Sequence, residues 1–221
     1  MWDRQTESWW QQVGGDAIVG RLAGEHLSML PVSIVSWATF RDSYPHASVL
    51  SRDTGFDRPY GTNPYVGYDQ VGSPPFLYDG PLDGRLPPKQ RVVVVSLNGE
   101  AAAYPFPILQ RRRVVADRVG GVAIVVLFQP GTTSALDAAS FADSREVGSS
   151  GVFEPVAGGR ALTLVWRGGA FVDVETGSRW NLLGQAVSGS LAGSQLPMVV
   201  HTDTFWFAVA AFNPKTRIFQ G

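Results

Sequence analysis

The 221-residue chain contains no cysteine. That absence excludes a disulfide framework, a thiolate nucleophile and any Cys-ligated zinc or iron–sulfur centre. Lysine is almost missing too, with only Lys89 and Lys215 among 18 basic residues. Charge of either sign is sparse, at 17% of the chain, and 19 acidic residues leave a net charge of −1. The basic footprint of a nucleic-acid-binding protein is therefore absent, and no nucleic-acid partner is expected. No run of 18 or more apolar residues occurs, so no membrane-spanning helix is expected. The opening Met1–Trp10 stretch has acids and a glutamine where an export signal needs an apolar run, and no signal peptide is read in it. The three histidines, His26, His46 and His201, are too scattered to suggest a metal triad.

What the chain does have is 44% hydrophobic residues together with 25 glycines and 15 prolines. That mixture describes a turn-rich globular protein rather than a disordered one, long enough to bury a core without staples.

Self-comparison is the most informative step. Asp3-Arg4-Gln5-Thr6-Glu7-Ser8-Trp9-Trp10 faces Asp173-Val174-Glu175-Thr176-Gly177-Ser178-Arg179-Trp180. After a one-residue slip, Gly15–Gly24 faces Gly184–Gly193, and Leu27, Trp37 and Pro45 meet Leu196, Trp206 and Pro214. The expectation is a mainly β protein with short helices (α+β), built as two related units in a pseudo-twofold repeat. In this reading residues 1–50 are the C-terminal part of an incomplete first unit, 51–90 a Pro/Gly/Tyr-rich connecting arm, and 91–221 a complete second unit. Met1 then occupies the place of an internal methionine. The incomplete unit should either pack against its mate or expose a strand edge that invites a homodimer.

Local signals fill in the elements. Arg91–Leu97 and Glu100–Tyr104 around Asn98-Gly99 predict a hairpin with a type I′ turn, because Asn-Gly supplies two positive φ angles. Arg113–Asp117 and Val122–Phe128 around Gly120-Gly121 predict a second hairpin with a strand buried on both faces. Val152–Pro155, Ala161–Trp166 and Ala170–Val174 continue the strand series. Trp37, Phe40 and Tyr44 share one face of a short helix capped by Ser36, and Phe205–Phe212 is its counterpart capped by Asp203.

The richest candidate site lies in the arm. Asp53, Asp57, Asn63 and Asp69 supply hard oxygen donors, and Tyr60, Tyr65 and Tyr68 supply flat aromatic faces. These are the ingredients of a Ca²⁺ or carbohydrate site, although the spacing matches no EF-hand loop. Arg52 and Arg58 are expected to pair with some of the acids and turn the stretch into an internal polar network. Asp53-Thr54-Gly55 spells an aspartic-protease signature, but that chemistry needs a second carboxylate, which the Glu175-Thr176-Gly177 turn does not supply in register. His201 with Asp203 has the makings of an imidazole oriented by a carboxylate, but Asp203 is already assigned as a helix cap and the histidines are read as structural. Ser134 lacks the glycine elbow of a hydrolase nucleophile, and Arg111-Arg112-Arg113 reads as a solvated corner. Trp9, whose counterpart is Arg179, is the tryptophan best suited to a surface contact.

Several of these stretches resemble a bacterial family known as domain of unknown function 3179. They are Trp2–Trp9, Val49–Gly55, Asn63-Pro64-Tyr65-Val66-Gly67-Tyr68, Asn98-Gly99-Glu100-Ala101-Ala102-Ala103-Tyr104-Pro105, Asp117–Gly121 and Pro130-Gly131-Thr132. The resemblance implies relatives that are often exported, a trait this start does not show, so the compartment is left open. It also implies a cysteine-bearing Cys-Pro-x-Cys-Gly-Thr stretch. This chain reads Leu127-Phe128-Gln129-Pro130-Gly131-Thr132 there, without a thiol, so no redox or metal role is carried over. The reading is a non-catalytic β-rich binding or structural module, without a cofactor unless Ca²⁺ binds the arm, whose partner is a small molecule or a protein. Its alternative is a carboxylate- or cation-dependent hydrolase acting on a carbohydrate or peptide-like substrate.

Overall fold

A computed structural model describes residues 1–221. The chain is mostly β, and its three helices have seven residues each. It forms two compact units, Met1–Val32 and Ser33–Gly221.

The smaller unit is an antiparallel sheet of β1 (Trp2–Asp3), β2 (Ser8–Trp10) and β3 (Ala17–Val19). Its organiser is Asp3, whose carboxylate accepts from the Thr6 backbone at 2.7 Å and from the Trp10 indole at 2.8 Å. Ser8 is fully buried and its hydroxyl accepts from the Leu22 amide at 3.0 Å. Ala17 is the only buried apolar residue in this unit, while Trp2, Trp9, Ile18 and Val19 are all more than half exposed.

In the larger unit, α1 (Trp37–Ser43) follows the Ser36 cap, whose hydroxyl accepts from the Thr39 amide at 3.2 Å. The rings of Trp37, Phe40 and Tyr44 line one face at 5.7 and 5.8 Å, as their spacing predicts. Residues 44–90 hold no strand or helix. The hairpin of β4 (Arg91–Leu97) and β5 (Glu100–Pro105) turns on Asn98 and Gly99, at φ of 49° and 81°. A helix that the sequence reading missed, α2 (Phe106–Arg112), leads into the hairpin of β6 (Val114–Val119) and β7 (Val122–Gln129). Its signal was Pro107, since proline is well placed in a first helical turn.

The chain continues through β8 (Ser149–Phe153), β9 (Val156–Ala157), β10 (Arg160–Ala161), β11 (Leu164–Arg167), β12 (Ala170–Asp173), β13 (Arg179–Trp180) and β14 (Ala186–Ser188). It closes with β15 (His201–Phe205), α3 (Trp206–Phe212) and β16 (Arg217–Ile218). The sheets run β15-β4-β5-β16, β6-β7-β8 and β11-β12-β13-β14, with β9 and β10 as a separate hairpin.

Strand β7 sits at the centre and explains its unbroken apolar run. Ile124, Val126 and Phe128 pack against Val93, Val95 and Tyr104 from β4 and β5. Val125 and Leu127, pointing the other way, join Phe153, Leu164, Phe171 and Trp180. A strand covered on both faces cannot alternate with polar residues, which is the pattern of Val122–Phe128. On the opposite face of β4, Val92 packs with Trp206 and Val209 of α3.

The two hairpin turns interlock. Asn98 Nδ2 donates to the Gly120 carbonyl at 2.8 Å, and the Gly120 amide donates to Glu100 Oε2 at 2.9 Å. A Cβ on Gly120 would lie 2.1 Å from the Leu97 carbonyl oxygen, and its φ is +53°. Both constraints call for glycine there.

Around β12–β14, Asp173 accepts from the Thr176 amide at 2.6 Å and from the Trp180 indole at 2.9 Å. The Ser178 hydroxyl accepts from the Leu191 amide at 3.1 Å. These bonds have the same donors and acceptors as those of Asp3 and Ser8, at sequence offsets of 170 and 169. The surroundings differ: Trp180 is buried and Trp10 is not, and Leu196 is fully buried where Leu27 is exposed. Nor is Val32–Ser36 a strand, although His201–Phe205 is.

Candidate functional site

Asp69 is the centre of the most developed polar cluster. The arm brings it there through Asn63, a buried side chain that donates to the Ala138 carbonyl at 3.0 Å and accepts from the Tyr65 amide at 2.8 Å. That Asx-type turn pins the arm to the 132–145 loop. Five residues on, Tyr68 packs its ring 6.0 Å from Phe205 at the end of β15. The Asp69 carboxylate, 1% exposed, then meets Arg91 Nη2 at 2.9 Å and the Ser134 hydroxyl. Arg145 Nη2 lies 2.7 Å from Asp69 Oδ1 while directing its hydrogen bond to the Asp69 carbonyl, so this contact is an ion pair without an aligned hydrogen bond. Burial would raise the Asp69 pKa, but the Ser134 hydroxyl and the two arginines more than offset it and hold the carboxyl below its ordinary range.

Two further cationic contacts complete the cluster. The buried Lys89 donates to the Tyr68 carbonyl at 2.6 Å and to Ser73 Oγ at 3.0 Å, with its ammonium 4.0 Å from the Tyr68 ring centroid. Burial lowers its pKa, and the nearby Asp69 opposes that shift. Arg145 also pairs with Asp137 at 2.8 Å. Asp69, Lys89, Arg91 and Arg145 line a recess of about 120 Å³ whose opposite wall is Phe106 and Pro107 of α2.

Asp203 and His201 lie beside this cluster, on the face of β15 that meets the β6-β7-β8 sheet. Ser150 of β8 donates to the Asp203 carboxyl, with Oγ 2.7 and 2.9 Å from its two oxygens. Burial raises the Asp203 pKa; the Ser150 bond, His201 and Arg91 oppose it without cancelling it. His201 is itself buried and donates from Nδ1 to the Val199 carbonyl at 2.8 Å, leaving Nε2 without a partner in the protein. The expected capping role of Asp203 is not observed. Helix α3 starts at Trp206, its N-cap is Phe205, and no side chain caps it.

The structure thus brings Tyr68, Asp69 and Asp203 to one region around Arg91, with Asn63 as anchor, whereas His201 pairs in register with Val95, farther along β4. It leaves Arg52, Asp53, Asp57, Arg58 and Tyr60 on the exposed stretch before Asn63. Neither Arg52 nor Arg58 forms an ion pair with Asp53, Asp57 or any other acid, so the expected internal network forms elsewhere, through Arg91 and Arg145. Asp53 is held only by its amide bond to Ser51 Oγ, and Tyr60 by a hydroxyl contact with Thr54 at 2.6 Å. Tyr65 is 61% exposed. No group of three or more His, Asp or Glu side chains is arranged to hold a metal ion.

Sequence reasoning missed Lys89, Arg91 and Arg145, and it saw Ser134 only as a rejected nucleophile. A clue was available: Lys89 and Arg91 immediately precede a valine strand whose direction would carry them to a sheet end. The Arg111–Arg113 corner also needs correction. Arg111 and Arg112 are solvated at the end of α2, but Arg113 places its guanidinium 5.9 Å from the Phe128 ring and 6.0 Å from Trp166, with Nη1 buried and unpartnered.

The family described as protein of unknown function (DUF3179) matches residues 1–216 of the sequence. The chain belongs to that family. The DUF3179 match spans both compact units and the whole Asp69 cluster. No curated protein and no solved structure matches the chain. In this DUF3179 member Gln129, Pro130 and Gly131, from the stretch where the resemblance implies cysteines, line an open recess of about 440 Å³ with Ser43 and Asn181. No helix is long and apolar enough to cross a membrane.

Proposed function

We propose that this chain is a non-catalytic β-rich binding or structural module. One observation carries the reading: Asp69, the arm carboxylate set into a recess, is consumed by two arginines and a serine hydroxyl. A general acid or base needs a free carboxyl with a pKa near the working pH, and these partners drive Asp69 the other way. Asp53 and Asp57 lie on the exposed stretch, and the partly buried Asp203 is bonded to Ser150 between two sheets, so no free pair of carboxylates supports the hydrolase alternative. The matched bonds around Asp3 and Asp173 support reading the two termini as copies of one turn, a framework element rather than a reactive one.

The test is hydrolysis of a panel of glycoside and peptide substrates, with and without added Ca²⁺, by the wild type and by an Asp53→Asn/Asp57→Asn variant. The expected result is no turnover above buffer from either protein. Turnover by the wild type that the double variant loses would overturn the proposal.

A further inference from the structure

The recess between the arm and α2 holds more positive charge than its own acids neutralise. Lys89, Arg91 and Arg145 line it, and the carboxylates paired with them are Asp69 and Asp137. Three cations against two anions leave one positive charge. Asp203, which also acts on Arg91, weighs least in that balance, because its bonded partner is Ser150 and burial favours its uncharged form.

Donors are also in surplus. Arg91 uses only Nη2 for side-chain bonds, to Asp69 and Ser134, so its Nε and Nη1 protons have no acceptor in the protein. Lys89 spends two of its three ammonium protons, on Tyr68 and Ser73. Arg145 commits Nη1 and Nη2 and leaves Nε free. Gln90 and Gln110 also line the recess, and Gln90 Nε2 spends one of its two protons on the Arg91 carbonyl at 3.2 Å. A buried lysine is costly to keep charged, and Lys89 is only 3% exposed. Its retention beside two arginines is economical if a further anion completes the cluster.

We propose that this recess is a binding site for a small oxyanion, a carboxylate or phosphate group, held by Arg91, Lys89 and Arg145 with Gln90 and Gln110 as neutral donors. The space of about 120 Å³ suits such a group alone. The planar guanidinium of Arg91 with Nε and one Nη free presents the two-pronged geometry that carboxylates and phosphates accept. This assignment deepens the binding-module reading by naming the ligand class.

The probes are inorganic phosphate and acetate, titrated calorimetrically and by thermal shift into the full chain at constant ionic strength, with chloride as the reference salt. Gln110→Glu places a negative charge on the recess without touching the Asp69 partners, and Arg91→Gln removes the forked donor. Saturable binding of one of the two anions, weakened about tenfold or more by Gln110→Glu in a protein with unchanged far-UV spectrum, is expected. Phosphate binding without acetate binding would assign the phosphate source, and the converse the carboxylate source. Should Arg91→Gln fail to fold, Gln110→Glu alone decides. No saturation by either anion, or equal affinity in wild type and Gln110→Glu, overturns the oxyanion site. Those results would leave the non-catalytic reading intact, since that falls only on turnover in the substrate panel.

Discussion

Asp203 is a partly buried carboxyl between two sheets with a serine as its bonded partner. Burial raises its pKa, which fixes the sign of its linkage to stability. An acid whose folded pKa lies above its unfolded value destabilises the fold once the pH exceeds that unfolded value, here the ordinary 3.8. The cost grows until the folded pKa is passed. Asp203→Asn keeps a polar partner for Ser150 and has no charge to bury. We therefore expect the Asn variant to be more stable than the wild type at pH 7 in urea melts, with the difference shrinking as the pH falls towards 3.8. Acids with lowered values, such as Asp69 and Asp173, lose their contribution on acidification in both proteins, so the comparison isolates position 203. A gap that stays constant with pH would contradict this account.

At the level of elements, the interlocked turns make a sharp prediction. Gly99, Gly120 and Gly121 all have positive φ, yet only Gly120 has backbone where a Cβ would go. Gly99→Ala and Gly121→Ala should each cost about 1–2 kcal/mol, the strain of a left-handed residue. Gly120→Ala should cost on the order of 4 kcal/mol or prevent folding, because the Leu97 strand must also move. Equal losses at the three positions in denaturant titration would refute the clasp. These hairpins were legible in sequence because Asn-Gly and Gly-Gly dictate local backbone angles. The β7 run was legible because double burial removes polar alternation. Helix α2 was not, since seven residues beginning Phe-Pro carry too little periodicity to separate a helix from a loop. The candidate site failed for a related reason. Asp69, Lys89, Arg91, Ser134 and Arg145 come from four separate stretches, and nothing local in sequence reports which cation reaches which acid. The nearby arginines, Arg52 and Arg58, were the natural guess and the wrong one.

Across the whole molecule, burial is distributed unevenly between the compact units. Ser33–Gly221 contains three clusters of buried apolar side chains, whereas Met1–Val32 buries one alanine and is organised by the bonds of Asp3 and Ser8. Hydrogen bonds alone contribute about 0.5–1.5 kcal/mol each, too little to hold a sheet of short strands shut. Backbone amides of β2 and β3 should therefore exchange with deuterium orders of magnitude faster than those of β4 and β7. Comparable protection in the two units would mean that the smaller one draws stability from burial that its own side chains do not supply. The clasp between the hairpin turns also guides the choice of sites for attaching a label or grafting a peptide. Hairpin tips normally tolerate such insertions, but residues 98–99 and 120–121 form a joint, and lengthening either would unfasten two sheets. The turns at Gly158-Gly159 and Gly168-Gly169, which open onto empty space, are the places to cut and splice.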